Sequence, residues 1–86
     1  MDITRAEQRI LHLLAQGGWI EHEHATHAAK VSDVTCFTRD GWVYPGLDLA
    51  IFRKLKSLKA ISSSNGNPYR ITSRGLRLVR SQLDNR

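Results

Sequence analysis

The order of helical and strand-like patterns in this sequence predicts a single α+β domain. Three amphipathic helical patterns are separated by two strand-rich segments, and a chain of 86 residues can build only one modest core. No internal repeat, low-complexity tract or linker-like stretch interrupts this order. We therefore expect residues 1–86 to fold as one domain.

The first helix is predicted over residues 5–16. Thr4 and Glu7 have the spacing of a capping box, in which each side chain accepts a hydrogen bond from the backbone amide of the other residue. Gly17 and Gly18 end the pattern, because glycine readily adopts the left-handed conformation that terminates helices. The apolar face is expected to contain Ala6, Ile10, Leu11, Leu13 and Leu14.

A β-meander is predicted after this helix. Residues 19–24 alternate loosely between apolar and polar side chains, and residues 31–38 are rich in β-branched side chains. Residues 39–41 signal a turn, after which residues 42–44 predict a third short strand. Residues 25–30 would form the loop between the first two strands, although one helical turn is the alternative there.

Two tryptophans, Trp19 and Trp42, flank the strand-rich segment. We expect both side chains to cover the core. If both were exposed, they would mark a protein-binding face, because aromatic residues are favoured at interfaces.

The second helix, predicted over residues 48–59, combines an apolar face with a basic flank. Asp48 is placed to cap the first turn and to interact with the positive end of the helix dipole. The apolar face is expected to contain Leu47, Ile51, Phe52, Leu55 and Leu58. The basic residues are Arg53, Lys54, Lys56 and Lys59. An ordinary solvated face is the alternative to a binding surface.

A β-hairpin and a third helix complete the predicted domain. Strands at residues 60–63 and 68–71 would flank a turn centred on Asn65 and Gly66, since both residue types accept a positive φ. The third helix is predicted to begin near Ser73. Its inward residues are expected to be Leu76, Val79 and Leu83, and its outward residues Arg74, Arg77 and Arg80.

The succession helix, β-meander, helix, β-hairpin, helix predicts a winged-helix-like arrangement, with the second helix as recognition element and the hairpin as wing. The strand-rich segment replaces the helix that usually precedes the recognition helix, which weakens the analogy. Asn65 and Asn67 at the wing tip are the candidates for reading bases, although turn chemistry also explains both. The predicted partner- or DNA-binding residues are Arg53, Lys54, Lys56, Lys59, Asn65, Arg70, Arg74 and Arg77.

Basic residues are concentrated in the second half of the chain. Residues 1–43 carry a formal charge of −2, whereas residues 44–86 carry +7, which together give the net charge of +5. Such asymmetry is typical of a surface that attracts a polyanion or an acidic protein.

Nothing in the sequence indicates an enzyme or a cofactor. The glycine-rich phosphate loop, the paired carboxylates and the Ser-His-Asp signature have no counterpart here. Cys36 is expected to be a small core residue, because no spacing pairs it with a base. His22, His24 and His27 are weak metal candidates; no obvious fourth ligand accompanies them, and Glu23 and Cys36 are the two residues considered for that position. A solvated polar hairpin explains these histidines without a metal.

The sequence also favours a cytoplasmic location. No apolar run approaches the roughly 18 residues that a membrane span needs, so no membrane partner is expected. The first residues include an early acid and no hydrophobic signal core, which argues against secretion. A single cysteine excludes an internal disulfide and fits a reducing compartment.

Several stretches of the chain resemble the YjhX family of small bacterial proteins. They are residues 7–12, 14–18, 52–56, 65–71 and 82–86, and the resemblance runs the whole length of the chain. The Asn-Gly-Asn-Pro-Tyr-Arg-Ile stretch and the terminal Asp-Asn-Arg are the more distinctive segments. The resemblance implies the toxin of a toxin–antitoxin pair that inhibits bacterial DNA topoisomerase I by binding it. Its implied partners are topoisomerase I and a cognate antitoxin; a DNA-binding transcriptional regulator is the alternative.

Overall fold

A computed structural model describes residues 3–24 and 31–84 of the chain. The helices are α1 (Arg5–Ala15), α2 (Leu49–Ser57) and α3 (Ser73–Asp84), and the strands are β1 (Trp19–His24), β2 (Val31–Phe37), β3 (Val43–Tyr44), β4 (Ile61–Ser62) and β5 (Arg70–Ile71). This order confirms the predicted succession of elements. The loop predicted at residues 25–30, and its helical alternative, lie outside the described residues. None of the helices just named is long and apolar enough to cross a membrane.

Helix α1 begins at the predicted capping box. Thr4 Oγ1 accepts a hydrogen bond from the Glu7 amide at 3.1 Å, and Glu7 Oε1 accepts one from the Thr4 amide at 2.8 Å. Its buried face is formed by Glu7, Ile10, Leu11 and Leu14. The prediction that Ala6 belongs to this face is wrong, because Glu7 begins the i, i+3, i+4, i+7 stripe and Ala6 is exposed.

The strands form two antiparallel sheets that meet edge to edge. Strands β1, β2 and β3 make one sheet in that order, and β4 and β5 make the hairpin. Ile20 in β1 exchanges two backbone hydrogen bonds with Tyr69, at 2.9 and 2.8 Å, which attaches the hairpin to the larger sheet. Asn65 and Gly66 have φ values of 55° and 77°, as the predicted hairpin turn requires.

The pleat separates the side chains of the joined sheets onto two faces. The inner face packs on the helices and carries the buried residues Ile20, Cys36, Ile61 and Tyr69. Phe52 of α2 meets Tyr69 edge-on, with ring centroids 5.0 Å apart. The outer face carries the alternate residues, including Trp19, Glu21, Asp33, Phe37, Val43 and Arg70.

Thr72 ties the end of α2 to the start of α3. Helix α2 ends in a Schellman motif, in which Lys59, with a φ of 59°, donates to the Lys56 carbonyl at 3.0 Å and Ala60 donates to the Leu55 carbonyl at 3.0 Å. The Thr72 hydroxyl donates to the Lys59 carbonyl at 2.7 Å and accepts from the Gly75 amide at 3.1 Å. The same residue therefore caps α3 and fixes its distance from α2.

Helix α3 departs from the prediction at one of its three predicted inward residues, and the side chain of another, Leu83, lies outside the described residues. Val79 is buried, as expected, but Leu76 is 36% exposed, so its predicted inward position is wrong. Gly75 is the buried residue of the first turn, because α3 approaches the Ala60 carbonyl too closely for a larger side chain. The outward positions of Arg74, Arg77 and Arg80 are confirmed.

The two tryptophans have different environments, and the prediction that both cover the core is wrong: Trp42 is exposed, and Trp19 lies on the outer face of the sheet, away from the core. Trp42 is 73% exposed. Its backbone is held at the β2–β3 turn by Thr38, whose amide donates to the Trp42 carbonyl at 2.7 Å, and this places its side chain beyond the core. Trp19 is half-buried and stacks on Phe37 with a centroid separation of 5.5 Å.

Candidate interaction surface

The predicted binding residues occupy both sides of the sheet. Lys56 lies on the helical side, because its Nζ is 5.9 Å from the ring centroid of the inner-face residue Tyr69. Arg70 lies on the outer face, where its Cζ is 5.6 Å from the Trp19 centroid. A single ligand surface therefore cannot use both residues in the same way.

Lys54 is held in an ion pair with α1. Its Nζ lies 3.0 Å from Glu7 Oε1, and the Glu7 side chain is only 7% exposed. Burial raises the pKa of Glu7, but the Thr4 amide and the Lys54 ammonium outweigh burial and hold that pKa below its ordinary value. Lys54 thus neutralises a buried carboxylate and joins α2 to α1. Its contribution to a binding surface is correspondingly reduced.

Arg53 and Lys56 are the exposed cations on the body of α2. Lys56 Nζ is also 5.9 Å from the Phe52 ring centroid, so its stem lies along two aromatic rings while its charge remains in solvent. This arrangement limits the directions that the ammonium can take.

Lys59 and Arg74 meet in a cleft at the α2–α3 junction. The cleft has a volume of about 320 Å³ and is also lined by Ser57, Leu58 and Leu78. The Schellman motif and the Thr72 bridge fix the two backbones that carry these cations. Two cations beside one cleft suit a carboxylate or phosphate group, whereas the Ser57 hydroxyl already donates to the Lys54 carbonyl at 2.8 Å. Arg77 is exposed one turn further along α3.

The hairpin holds Asn65 at its tip and Arg70 at its base. Asn65 is exposed in the tight turn, so its amide is available to a partner. Arg70 lines a polar cleft of about 490 Å³ and approaches the Gly17 carbonyl oxygen at 3.5 Å. The rest of that cleft is lined by Ser62, Ser63, Ser64, Asn67 and Pro68.

The outer face contains aromatic residues that the charge pattern did not identify. Trp19 pairs with Phe37 across β1 and β2, and Phe37 pairs with Val43 across β2 and β3. Val43 is 59% exposed and adjoins the exposed Trp42. The sequence of β1 indicated this patch, because side chains alternate between the two faces of a strand and Trp19 lies two residues from the exposed Glu21.

The side chains considered as metal ligands or as a reactive thiol are packed against other residues where the structure describes them. The His22 ring meets Tyr69 edge-on at 4.9 Å, on the inner side of the sheet. His27 and the His24 side chain lie outside the described residues, and the described part of the chain contains no group of three metal-binding side chains. Cys36 is fully buried, and burial raises the pKa of its thiol to about 11. It is therefore protonated at neutral pH and protected from reagents.

Comparisons with known proteins give one consistent match. The YjhX_toxin family model, described as "Putative toxin of bacterial toxin-antitoxin pair", matches residues 1–86. A UPF0386 protein of Rhizobium rhizogenes is 71% identical, one of Rhizobium etli is 70% identical, and one of Chelativorans sp. is 64% identical. Each of these three alignments covers 86 residues and the whole of both chains. No solved structure matches the chain.

Proposed function

Because this chain belongs to the YjhX_toxin family, we propose that it is a toxin that binds and inhibits bacterial DNA topoisomerase I in the cytoplasm and is neutralised by an antitoxin protein. The observation that carries this proposal is the family match over all 86 residues. The choice of topoisomerase I follows from the resemblance of the sequence to the YjhX family.

Binding, and not catalysis, is the action that the described side chains support. The buried thiol of Cys36 is protonated, and the candidate anion site is formed by two cations, Lys59 and Arg74, beside Ser57 and two leucines. Exposed tryptophan and arginine residues are the types that dominate protein interfaces, and the chain exposes both at Trp42 and Arg53. A net charge of +5 favours association with an acidic protein surface or with an enzyme that carries DNA.

We place the topoisomerase contact at the Lys59–Arg74 cleft. Arg77 extends this cleft, because it lies three residues, and so about one helical turn, beyond Arg74 on α3. Carboxylates on the enzyme would then enter the cleft from the helical side of the domain. Lys54 is left out of this contact, since Glu7 already neutralises it.

A plasmid relaxation assay with purified topoisomerase I tests the proposal. Wild-type protein should inhibit relaxation, and Lys59→Glu with Arg74→Glu should weaken inhibition at least about tenfold, because carboxylates would repel the acidic partner. Arg5→Glu with Arg9→Glu makes the same change in charge on α1 and should leave inhibition unchanged. Failure of the wild-type protein to bind topoisomerase I at micromolar concentration would refute this function.

A winged-helix DNA-binding regulator is the second candidate. It is favoured by the position of α2, which exposes Arg53 and Lys56 and leads directly into a hairpin with Asn65 at its tip. A DNA shift assay at two salt concentrations tests it, because phosphate contacts weaken steeply with salt. If Arg53→Glu with Lys56→Glu abolished DNA binding but left topoisomerase inhibition intact, DNA binding would not explain the inhibition.

A further inference from the structure

The outer face of the sheet carries a row of side chains that crosses four strands. The row consists of Arg70, Trp19, Phe37 and Val43, on β5, β1, β2 and β3. Arg70 lies over the Trp19 ring, and Trp19 stacks on Phe37 with an angle of 17° between the rings. Since the described helices pack against the inner face, this row points away from them.

Charge is separated along the strands around this row, because the guanidinium of its member Arg70 reaches toward the strand end at Gly17. Arg70 and Arg39 lie at one end, on two sides of Gly17: Arg70 Nη1 is 3.5 Å from its carbonyl oxygen, and the Arg39 side chain is 3.4 Å from where a Cβ would stand. Glu21 and Asp33 are exposed further along β1 and β2, toward the opposite end. The Arg70 guanidinium and Arg39 therefore lie toward one end of the aromatic row. Glu21, whose Oε2 accepts a hydrogen bond from Trp19 Nε1 at 3.1 Å, and Asp33 lie toward the other end.

We propose that a second copy of this chain docks on the outer face. The two copies would be related by a two-fold axis that lies in the interface and perpendicular to the strands. Such a rotation reverses the strand direction and keeps each strand opposite its own copy. Arg70 on β5 of one copy would then reach Glu21 on the neighbouring β1 of the other copy, and Arg39 would reach Asp33. The aromatic rows of the two copies would be covered between these charges, as in the packing of two sheets.

The mixture of charges favours a second copy over an unlike acidic partner. A uniformly acidic surface would be attracted to Arg39 and Arg70 but repelled by Glu21 and Asp33, whereas an isologous contact pairs both ends at once. The net charge of +5 on each copy opposes association, so these local contacts must offset it. The proposed topoisomerase contact uses the helical side and is independent of this face.

Sedimentation measurements with paired charge reversals test the proposal. Wild-type protein should sediment with twice the 9.8 kDa mass of one chain. Arg39→Glu with Arg70→Glu should raise the dissociation constant at least about tenfold, and Glu21→Arg with Asp33→Arg should do the same. An equimolar mixture of the two variants should recover the dimer, because each supplies the charges that the other then needs.

Two further variants separate association from folding and from net charge. Arg74→Glu with Arg77→Glu makes the same charge change on α3 and should leave the dimer intact while weakening topoisomerase inhibition. Val43→Lys places an ammonium beside Phe37 in the row. It should weaken the dimer and leave the circular dichroism spectrum unchanged, so it tests the interface even if the charge reversals impair folding. A wild-type protein that stays monomeric at a concentration on the order of 100 micromolar would overturn the proposal. A Val43→Lys protein that dimerises normally would also overturn it, as would a mixture of the two folded reversal variants that stays monomeric.

Discussion

Lys54 Nζ and the Thr4 backbone amide converge on the same oxygen of Glu7, at 3.0 and 2.8 Å respectively. The carboxylate that caps α1 is therefore also the anchor for α2. Lys54, which the sequence predicts for a binding surface, compensates a buried charge. Because of this contact, α2 has fewer unpaired cations at its surface than its sequence suggests.

The Glu7–Lys54 pair should make the free energy of unfolding depend on pH in the acidic range. Glu7→Gln retains an acceptor for the Thr4 amide but removes the charge, so we expect a loss of about 1 kcal/mol in the free energy of unfolding at neutral pH. The folded pKa of Glu7 is lowered, so its contribution is complete above its unfolded pKa and is lost as the pH falls through the folded value. Urea unfolding from pH 7 to pH 2 should show the wild-type advantage shrinking below about pH 4. An advantage that is the same at every pH would contradict this role, and Lys54→Met should reproduce most of the loss.

Gly75→Ala should destabilise the protein although it lies in a helix. Alanine ordinarily gains up to about 1 kcal/mol over glycine in a helix. Here the added Cβ would collide with the Ala60 carbonyl and stand 2.6 Å from Ile71 Cγ1, so we expect a net loss of about 1–3 kcal/mol. Thermal or urea unfolding measures it. A more stable variant would show that α3 does not approach Ala60 and Ile71 this closely.

The Cys36 thiol should be unreactive in the folded protein. Burial holds its pKa near 11, against an ordinary value of 9.0, so at pH 8 Ellman's reagent should label it only after denaturant is added. The unfolded thiol ionises first, so the unfolded state binds fewer protons between these values and stability should fall as the pH rises above 9. Cys36→Ala should lose stability at pH 7 through the cavity it leaves and should show a weaker fall above pH 9. Rapid labelling of the folded protein would contradict the buried position.

The two tryptophans should respond differently to the same substitution. Trp42→Ser should change the free energy of unfolding by no more than about 0.5 kcal/mol, because the side chain is 73% exposed. Trp19→Ser should cost at least about 1.5 kcal/mol, since it removes the stacking on Phe37 and the contact with Arg70. Urea unfolding of the two variants gives the comparison directly. Equal losses would mean that Trp42 is packed as tightly as Trp19.

The sequence alone predicted the helices, the N-terminal caps of α1 and α2 and the hairpin turn because each depends on residues only a few positions apart. The capping box uses Thr4 and Glu7, and the turn uses Asn65 and Gly66, whose backbone preferences hold in any tertiary setting. The family was also recognised from local stretches, which the match over residues 1–86 confirms. The predicted role of Lys59 and Arg74 in binding remains a prediction, although the structure brings both to one cleft.

Only the tertiary structure decided which side chains remain available at the surface. Lys54 is neutralised by a residue 47 positions earlier in the chain, and Leu76 is exposed because Gly75 takes the close contact with Ala60. Trp42 is exposed because the β2–β3 turn carries it past the core, whereas Trp19 lies beside Phe37 and Arg70. Periodicity and charge describe one element at a time. Exposure is set by what other elements place against it, and those contacts join residues that are distant in the sequence.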